Sequence, residues 1–209
     1  MAHPEDCNLA YSYSTSAELK DYYDDIANVY NIFLESTNYV LHINVANMIG
    51  AQWGDVIGHV LDIGSGTGRL GFELSKIKPK VLIDGVDFSE NMITAASYLG
   101  VYNAFFNVNL KDDISVISKK YDLLISSGVF TPNHLNANDL IRFIDLLNKN
   151  GRVFIAVKKN LFEEDDFENK LNDLVETGEI RYLMCTEVSI WDDPMYTDTA
   201  IVVSFEKNS

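Results

Sequence analysis

The chain has 209 residues, 47% hydrophobic and 22% charged, a balance that suits one packed globular domain spanning 1–209. Its 31 acidic and 16 basic residues leave a formal net charge of −15, which repels phosphate backbones and argues against a nucleic-acid partner. No apolar run approaches the ~20 residues of a membrane span, and Met1–Cys7 lacks the basic-then-apolar pattern of a signal peptide. The two cysteines, Cys7 and Cys185, are too few for a disulfide framework. The expectation is a cytoplasmic protein with no membrane partner.

Residues 1–15 are polar, without clear periodicity, and read as a mobile arm or a lid that orders on binding. Ser16 is placed to cap a helix carrying Leu19, Tyr22, Tyr23, Ile26 and Tyr30 at helical spacings. Ser36 or Thr37 is placed to start a second, running through Val40, Leu41, Ile43 and Met48 to Gly50. Residues 16–50 are thus a helical cap before a core spanning 51–209. Val60–Ile63 is an apolar run fit for a buried parallel strand. Gly64, Gly66 and Gly68 follow, and Thr67 opens a helical pattern with Leu70 and Leu74 on one face. Val81–Val86 suits a second strand, and Ser89 an N-cap for a helix with Met92, Ile93 and Ala96 that stops at Gly100. Tyr102–Val108 and Tyr121–Ser126 suit the third and fourth strands. Asn136 or Asn138 starts a helix ended by Asn150-Gly151, Arg152–Val157 is the fifth strand, and a helix spans about 162–177. Ile180–Ile190 and Thr199–Glu206 have no helix between them and should pair antiparallel at an edge. The alternation predicts an α/β fold: a three-layer, doubly wound, Rossmann-like sheet with right-handed crossovers.

In such a sheet ligands sit at the carboxyl ends of the strands. Those ends supply Asp62, Gly64, Ser65, Gly66 and Gly68; then Asp87, Phe88, Ser89 and Met92; then Asn109 and Leu110; then Ser127, Gly128 and Phe130. Glycines after a strand let backbone approach a ligand where any Cβ would obstruct it. A dinucleotide fingerprint would need glycine at Arg69, and the Gly-Lys-Ser/Thr ending of a phosphate loop is lacking. Asp87 either accepts ribose hydroxyls or is an acid favoured by a helix N-terminus. Phe88 and Met92 either flank a base or join the core.

Asp62 before Gly-x-Gly-x-Gly, with Asp87 in Gly-Val-Asp-Phe-Ser, resembles the class I S-adenosylmethionine (SAM) methyltransferases. The segments 121–127 (Tyr-Asp-Leu-Leu-Ile-Ser-Ser) and Leu147–Ile155 also resemble that family, and the likeness runs from about Tyr22 to the C-terminus. The resemblance implies strand order 3-2-1-4-5-7-6 with strand seven antiparallel, SAM as cofactor, S-adenosylhomocysteine (SAH) as product, and no metal. More narrowly, Leu99–Tyr102 and Ser127–His134 resemble the methyltransferase-like protein 27 group of the Williams–Beuren region. Tyr22–Tyr30 is similar to a segment that closes over the methionine end of SAM, which implies a contact from Tyr23 or Tyr30. Two positions depart from the family pattern. Asn109 replaces an Asp that accepts from the adenine amino group, and Asn31 stands where the Tyr-Asp pattern has its acid.

The implied reaction moves a methyl group to an O, N or S atom of a small-molecule acceptor; the alternatives are a SAM/SAH-binding module without transfer, or a protein methyltransferase. A hydroxyl acceptor needs a base, and His134, just beyond the fourth strand, is the candidate. Tyr22, Phe130, His134, Trp191 and Tyr196 are the candidate acceptor residues. His3, His42 and His59 read as structural or solvent-facing, and the scattered histidines and cysteines do not make a metal site. The chain is expected as a monomer or homodimer.

Overall fold

The computed structural model describes residues 10, 13, 15–54, 58–112 and 114–208; most of the expected arm, with His3 and Cys7, lies outside them. The first helix, α1, runs Ser16–Ser36. Its N-cap is Thr15, one residue before the expected Ser16, because Thr15 and Glu18 form a reciprocal capping box. The second helix, α2, is Leu41–Gln52 and starts later than expected. Asn38 takes a left-handed conformation (φ 53°) that breaks the helical path after Thr37.

The alternating units then follow as β1 His59–Ile63, α3 Arg69–Ile77, β2 Leu82–Asp87, α4 Glu90–Ser97, β3 Tyr102–Asn107, β4 Tyr121–Phe130, α5 Ala137–Ile144 and β5 Leu147–Lys158. The helix expected over 162–177 is two, α6 Lys159–Glu164 and α7 Phe167–Glu176, because Asp166 is left-handed at φ 59°. The chain ends with β6 Ile180–Ser189 and β7 Thr199–Lys207. All strands join one seven-stranded sheet in the order β3-β2-β1-β4-β5-β7-β6, with β7 antiparallel to both neighbours. This is the Rossmann-like strand order that the sequence resemblance implies.

Period-two alternation sends side chains of one strand into two cores. Leu61 and Ile63 of β1 pack with Val86, Leu124, Phe143 and Phe167 on one face of the sheet. Val60 of β1 packs with Val45, Ile49, Leu70, Leu74 and Phe154 on the other. Each large side chain buried this way contributes about 1.5–3 kcal/mol. β4 runs on to Phe130, past the expected end at Ser126, with an irregular register against β5 between those two residues. That irregularity carries Ser127–Val129 across the carboxyl end of β1. None of the described helices is long and apolar enough to cross a membrane.

Candidate active site

The glycine turn joins β1 to α3. Gly64, Gly66 and Gly68 have φ of 65°, 52° and 84°. Gly68 is the N-cap, so α3 opens at Arg69 rather than at Thr67. A Cβ on Gly64 would lie 2.7 Å from Val129, and one on Gly68 2.8 Å from Tyr102 and 2.9 Å from Leu99. A Cβ on Gly66 would meet nothing within 4 Å, and Gly66 lines an open cleft. Two of the glycines therefore serve packing, and the middle one leaves the turn open to a ligand.

Two buried acids flank the turn. Asp62 accepts from the Tyr102 hydroxyl at 2.6 Å and from the Gly71 N–H, so β1, β3 and α3 are clamped together behind the turn. Burial pushes its carboxyl up to about 7. Asp87, at the end of β2, accepts from Gly66 N–H at 2.8 Å, from Ser89 N–H at 3.0 Å and from the Phe88 N–H. Burial raises it to about 6, against the pull of those N–H donors. A carboxylate offers about four lone-pair sites, so Asp87 keeps acceptor capacity beyond these bonds.

The cleft encloses about 980 Å³, part of it open to solvent. It is lined by Tyr23, Tyr30, Asp62, Gly64, Ser65, Gly66, Asp87, Phe88, Met92, Asn109, Leu110, Ser127, Gly128 and His134. Two expected contact residues stand behind the wall. Gly68 packs on β3 and α4, and Ser89 is the fully buried N-cap of α4, accepting from Met92 N–H at 3.1 Å. The Asn109 side-chain oxygen accepts from Lys111 N–H at 3.1 Å, which holds the amide at the end of β3.

Helix α1 roofs the cleft through two anchors. The Asp24 carboxylate accepts from Ser89 Oγ at 2.5 Å, and the Asp24 carbonyl from Asn91 Nδ2 at 2.9 Å. Further along, Asn31 Oδ1 accepts from Thr67 Oγ1 at 2.7 Å and Arg69 Nε at 3.1 Å, and Arg69 pairs with Glu35. Asn31, a departure from the family pattern, is thus the tie between α1 and the glycine turn.

A second cavity, about 1000 Å³ including open space, adjoins the first. Tyr23, Tyr30, Leu34, Tyr39 and Gly128 line both. Tyr22, Phe130, Trp191 and Tyr196, expected to meet the acceptor, line the second. Phe130 is fully buried and packs edge-on against Phe143 and Phe167, so it backs the cavity rather than projecting into it. The α1–α2 connector pairs with the β6–β7 loop: Val40 N–H donates to the Ile190 carbonyl at 2.9 Å, and Asp192 N–H to that of Asn38 at 2.8 Å. That pairing sets Tyr39 edge-on to Trp191, with ring centroids 5.1 Å apart.

His134 lines the cleft but not the second cavity, and Tyr23 stands between them. The Tyr23 hydroxyl lies 3.1 Å from His134 Nε2; His134 Nδ1 lies 3.1 Å from both the Pro132 carbonyl and Thr131 Oγ1. A carbonyl only accepts, so that contact assigns the proton to Nδ1 and leaves the Nε2 lone pair to accept from Tyr23 O–H. Burial holds the imidazole below its ordinary pKa, hence neutral.

Sequence reasoning missed His42, which lines the cleft. A helix start at Ser36 or Thr37 puts His42 mid-helix; the actual start at Leu41 puts it in the first turn, facing the ligand space. Among the described residues two buried side-chain atoms lack a hydrogen-bond partner, His42 Nδ1 and Ser65 Oγ, and both residues line this cleft. Buried orphan polar atoms cost about 1–3 kcal/mol each unless satisfied. Their concentration here, beside an open glycine and an acid with spare acceptor sites, fits a polar cofactor such as SAM. Among the described residues no group of three His, Cys, Asp or Glu side chains is placed to hold a metal ion.

A family profile described as a methyltransferase domain matches residues 57–196. The chain therefore belongs to the methyltransferase-domain family. No curated protein matches the sequence. Among solved structures, the plantazolicin methyltransferase BpumL, bound to a pentazolic desmethylPZN analog and SAH, superposes with a TM-score of 0.65 at 15% identity, covering 98% of this chain and 96% of that one. Magnesium protoporphyrin IX methyltransferase from Synechocystis PCC 6803, with bound SAM, gives 0.59 at 14% identity, with 98% and 90% covered. Ribosomal protein L11 methylase from Lactobacillus delbrueckii subsp. bulgaricus gives 0.56 at 17% identity, with 80% and 79% covered. At these identities the likeness is one of fold.

Proposed function

We propose that this chain is a cytoplasmic, single-domain SAM-dependent methyltransferase acting on an O, N or S atom of a small-molecule acceptor. The observation that carries the reading is the pair of adjoining cavities with a common wall of Tyr23, Tyr30, Tyr39 and Gly128. One has the polar features a nucleoside donor needs, and the other is walled by aromatic side chains. By name, one fold relative is a magnesium protoporphyrin IX methyltransferase and another a plantazolicin methyltransferase, which supports an acceptor of that kind, while a third is a ribosomal protein methylase, which keeps a protein acceptor as the second reading. The Ser127–His134 likeness to the methyltransferase-like protein 27 group supports methyl transfer and names no acceptor.

SAM, when bound, supplies an electrophilic methyl group on a sulfonium. The protein's work is to align donor and acceptor and exclude water. Asp87 would take a ribose hydroxyl on its remaining acceptor capacity, and Phe88, Met92 and Leu110 would flank the adenine, with Asn109 at its amino group. Tyr23, Tyr30, Ser127 and Gly128 would hold the methionine end, under the roof of α1. For a hydroxyl acceptor, Tyr23 accepts the acceptor's proton while passing its own to His134 Nε2. The imidazolium so formed is held by the Nδ1–H bond to the Pro132 carbonyl. His134 is then the proton sink and Tyr23 the group that meets the acceptor.

The test is incubation with methyl-labelled SAM and an extract of the source organism, fractionated by size. Label in a compound of low molecular mass is the expected result. Label confined to protein overturns the acceptor class, and no label in any fraction favours a binding module.

A further inference from the structure

Across the sheet, the cleft runs from β2, which carries Asp87, past the glycine turn after β1, to β4. At the β4 end the Tyr39 hydroxyl is the nearest atom to a Cβ built on Gly128, at 3.1 Å. The Tyr39 ring stacks on His42 with an interplanar angle of 8° and a centroid distance of 5.6 Å, so His42 belongs to this end. Two helices begin here. Neither the N-cap of α2, Val40, nor that of α3, Gly68, makes a side-chain cap hydrogen bond. Each helix N-terminus carries roughly half a positive charge, that of α3 being met in part by Asp62, which accepts from the Gly71 N–H. Arg69, the first residue of α3, lines the cleft and acts electrostatically on His42.

His42 is the second, independent sign of a ligand. It is 4% exposed, it lines the cleft, and its Nδ1 has no partner. A nucleoside placed with its ribose on Asp87 sends its 5′ substituent past Gly66 toward this end. In SAM that substituent carries an ammonium and a carboxylate, and two positive helix ends discriminate against the ammonium. We infer that His42, at the uncapped N-terminus of α2, binds the carboxylate of the cofactor's methionyl tail, its Nδ1–H donating to one carboxylate oxygen. This rests on the donor assignment above. Burial and Arg69 hold the imidazole down to about 4, with Glu73 opposing and Lys76 reinforcing them, so a neutral ring makes the bond. A neutral donor suits a seat that must remain buried before the ligand arrives.

The test is calorimetric titration with SAH and with its decarboxylated analogue, which keeps the amine and lacks only the carboxylate. Wild-type protein is expected to favour SAH by ~10–100-fold, the scale of a hydrogen bond to a charged group. His42→Phe keeps a ring against Tyr39 and removes both nitrogens. It is expected to weaken SAH by about that factor and to leave the analogue within about twofold, at constant melting temperature. His42→Asn, which can present an amide N–H near the Nδ1 position, should restore part of the preference. If His42→Phe does not fold, His42→Leu carries the same comparison. An unchanged SAH-to-analogue ratio in the variant, or no preference in the wild type, overturns the inference while leaving SAM as donor. Failure of wild-type protein to bind SAH at all overturns the donor assignment and the inference with it.

Discussion

Gly66→Ala and Gly68→Ala should separate ligand access from folding within one turn. Both glycines have positive φ, 52° and 84°, so an alanine at either costs roughly 1–2 kcal/mol of backbone strain. At Gly66 nothing further is lost, because its Cβ would have no neighbour within 4 Å. At Gly68 the Cβ would lie 2.8 Å from Tyr102, 2.9 Å from Leu99 and 3.0 Å from Ala96. Overpacking of that kind adds about 1–3 kcal/mol, for a total near 2–5 kcal/mol. Tyr102 has little room to yield, since its hydroxyl is bonded to Asp62. Urea denaturation should therefore show a modest loss for Gly66→Ala and a severe one for Gly68→Ala. Calorimetry with SAH should show the reverse order of damage: Gly66→Ala folds, yet binds at least ~10-fold more weakly because the methyl occupies the approach path. Wild-type SAH affinity in Gly66→Ala, or equal destabilisation by the two variants, would refute the division of labour within the turn.

Three further outcomes follow. Burial raises Asp62 to about 7 and Asp87 to about 6 in the folded state, above an unfolded value near ~3.9. Their contribution to stability is then fully present below the unfolded value and lost as pH rises through the folded ones. His42 and His134, held below their ordinary value, gain stability over part of the same range, so the test is a difference: from about pH 4 to about pH 7 the urea midpoint of the ligand-free wild type should decline relative to that of Asp62→Asn, and parallel profiles would contradict the cause. Tyr23→Phe should lower turnover of a hydroxyl acceptor by ~100-fold or more while SAH affinity stays within a few-fold. In the wild type the acid limb of that turnover should lie below the ordinary histidine value of ~6.5, and a limb above it would exclude His134. Tyr196→Ala should raise KM for the acceptor and leave SAH binding unchanged, since Tyr196 lines only the second cavity; a matching loss of SAH affinity would contradict the assignment of that cavity to the acceptor.

The glycine turn and Asp87 were legible because their signals are local: an apolar run, glycines at alternate positions, and an acid ending the next run. Strand order was legible only through the family resemblance. Features that depend on pairing across the chain were not. Asp62 reads as a ligand in sequence, yet its carboxylate is held by Tyr102, 40 residues away. Ser36 and Thr37 look like helix caps, but Asn38 bends left-handed and the next helix opens at Leu41 with no side-chain cap. That misplacement hid His42. The break at Asp166 was hidden likewise, since the apolar spacing of Leu161, Phe162 and Phe167 continues through it. The second cavity depends on the bridge between Tyr39 and Trp191, two residues with no local relation in sequence.

The central claim is that the cleft between the glycine turn and Asp87 is a SAM site. Titration of the wild-type protein and of Asp87→Ala with SAH, in parallel with NADH, tests it most directly. The account predicts one saturable SAH site, no NADH binding, and a ~10–100-fold weaker SAH site in Asp87→Ala, the loss of hydrogen bonds to a charged group. NADH binding without SAH binding, or SAH affinity unchanged by Asp87→Ala, would contradict it.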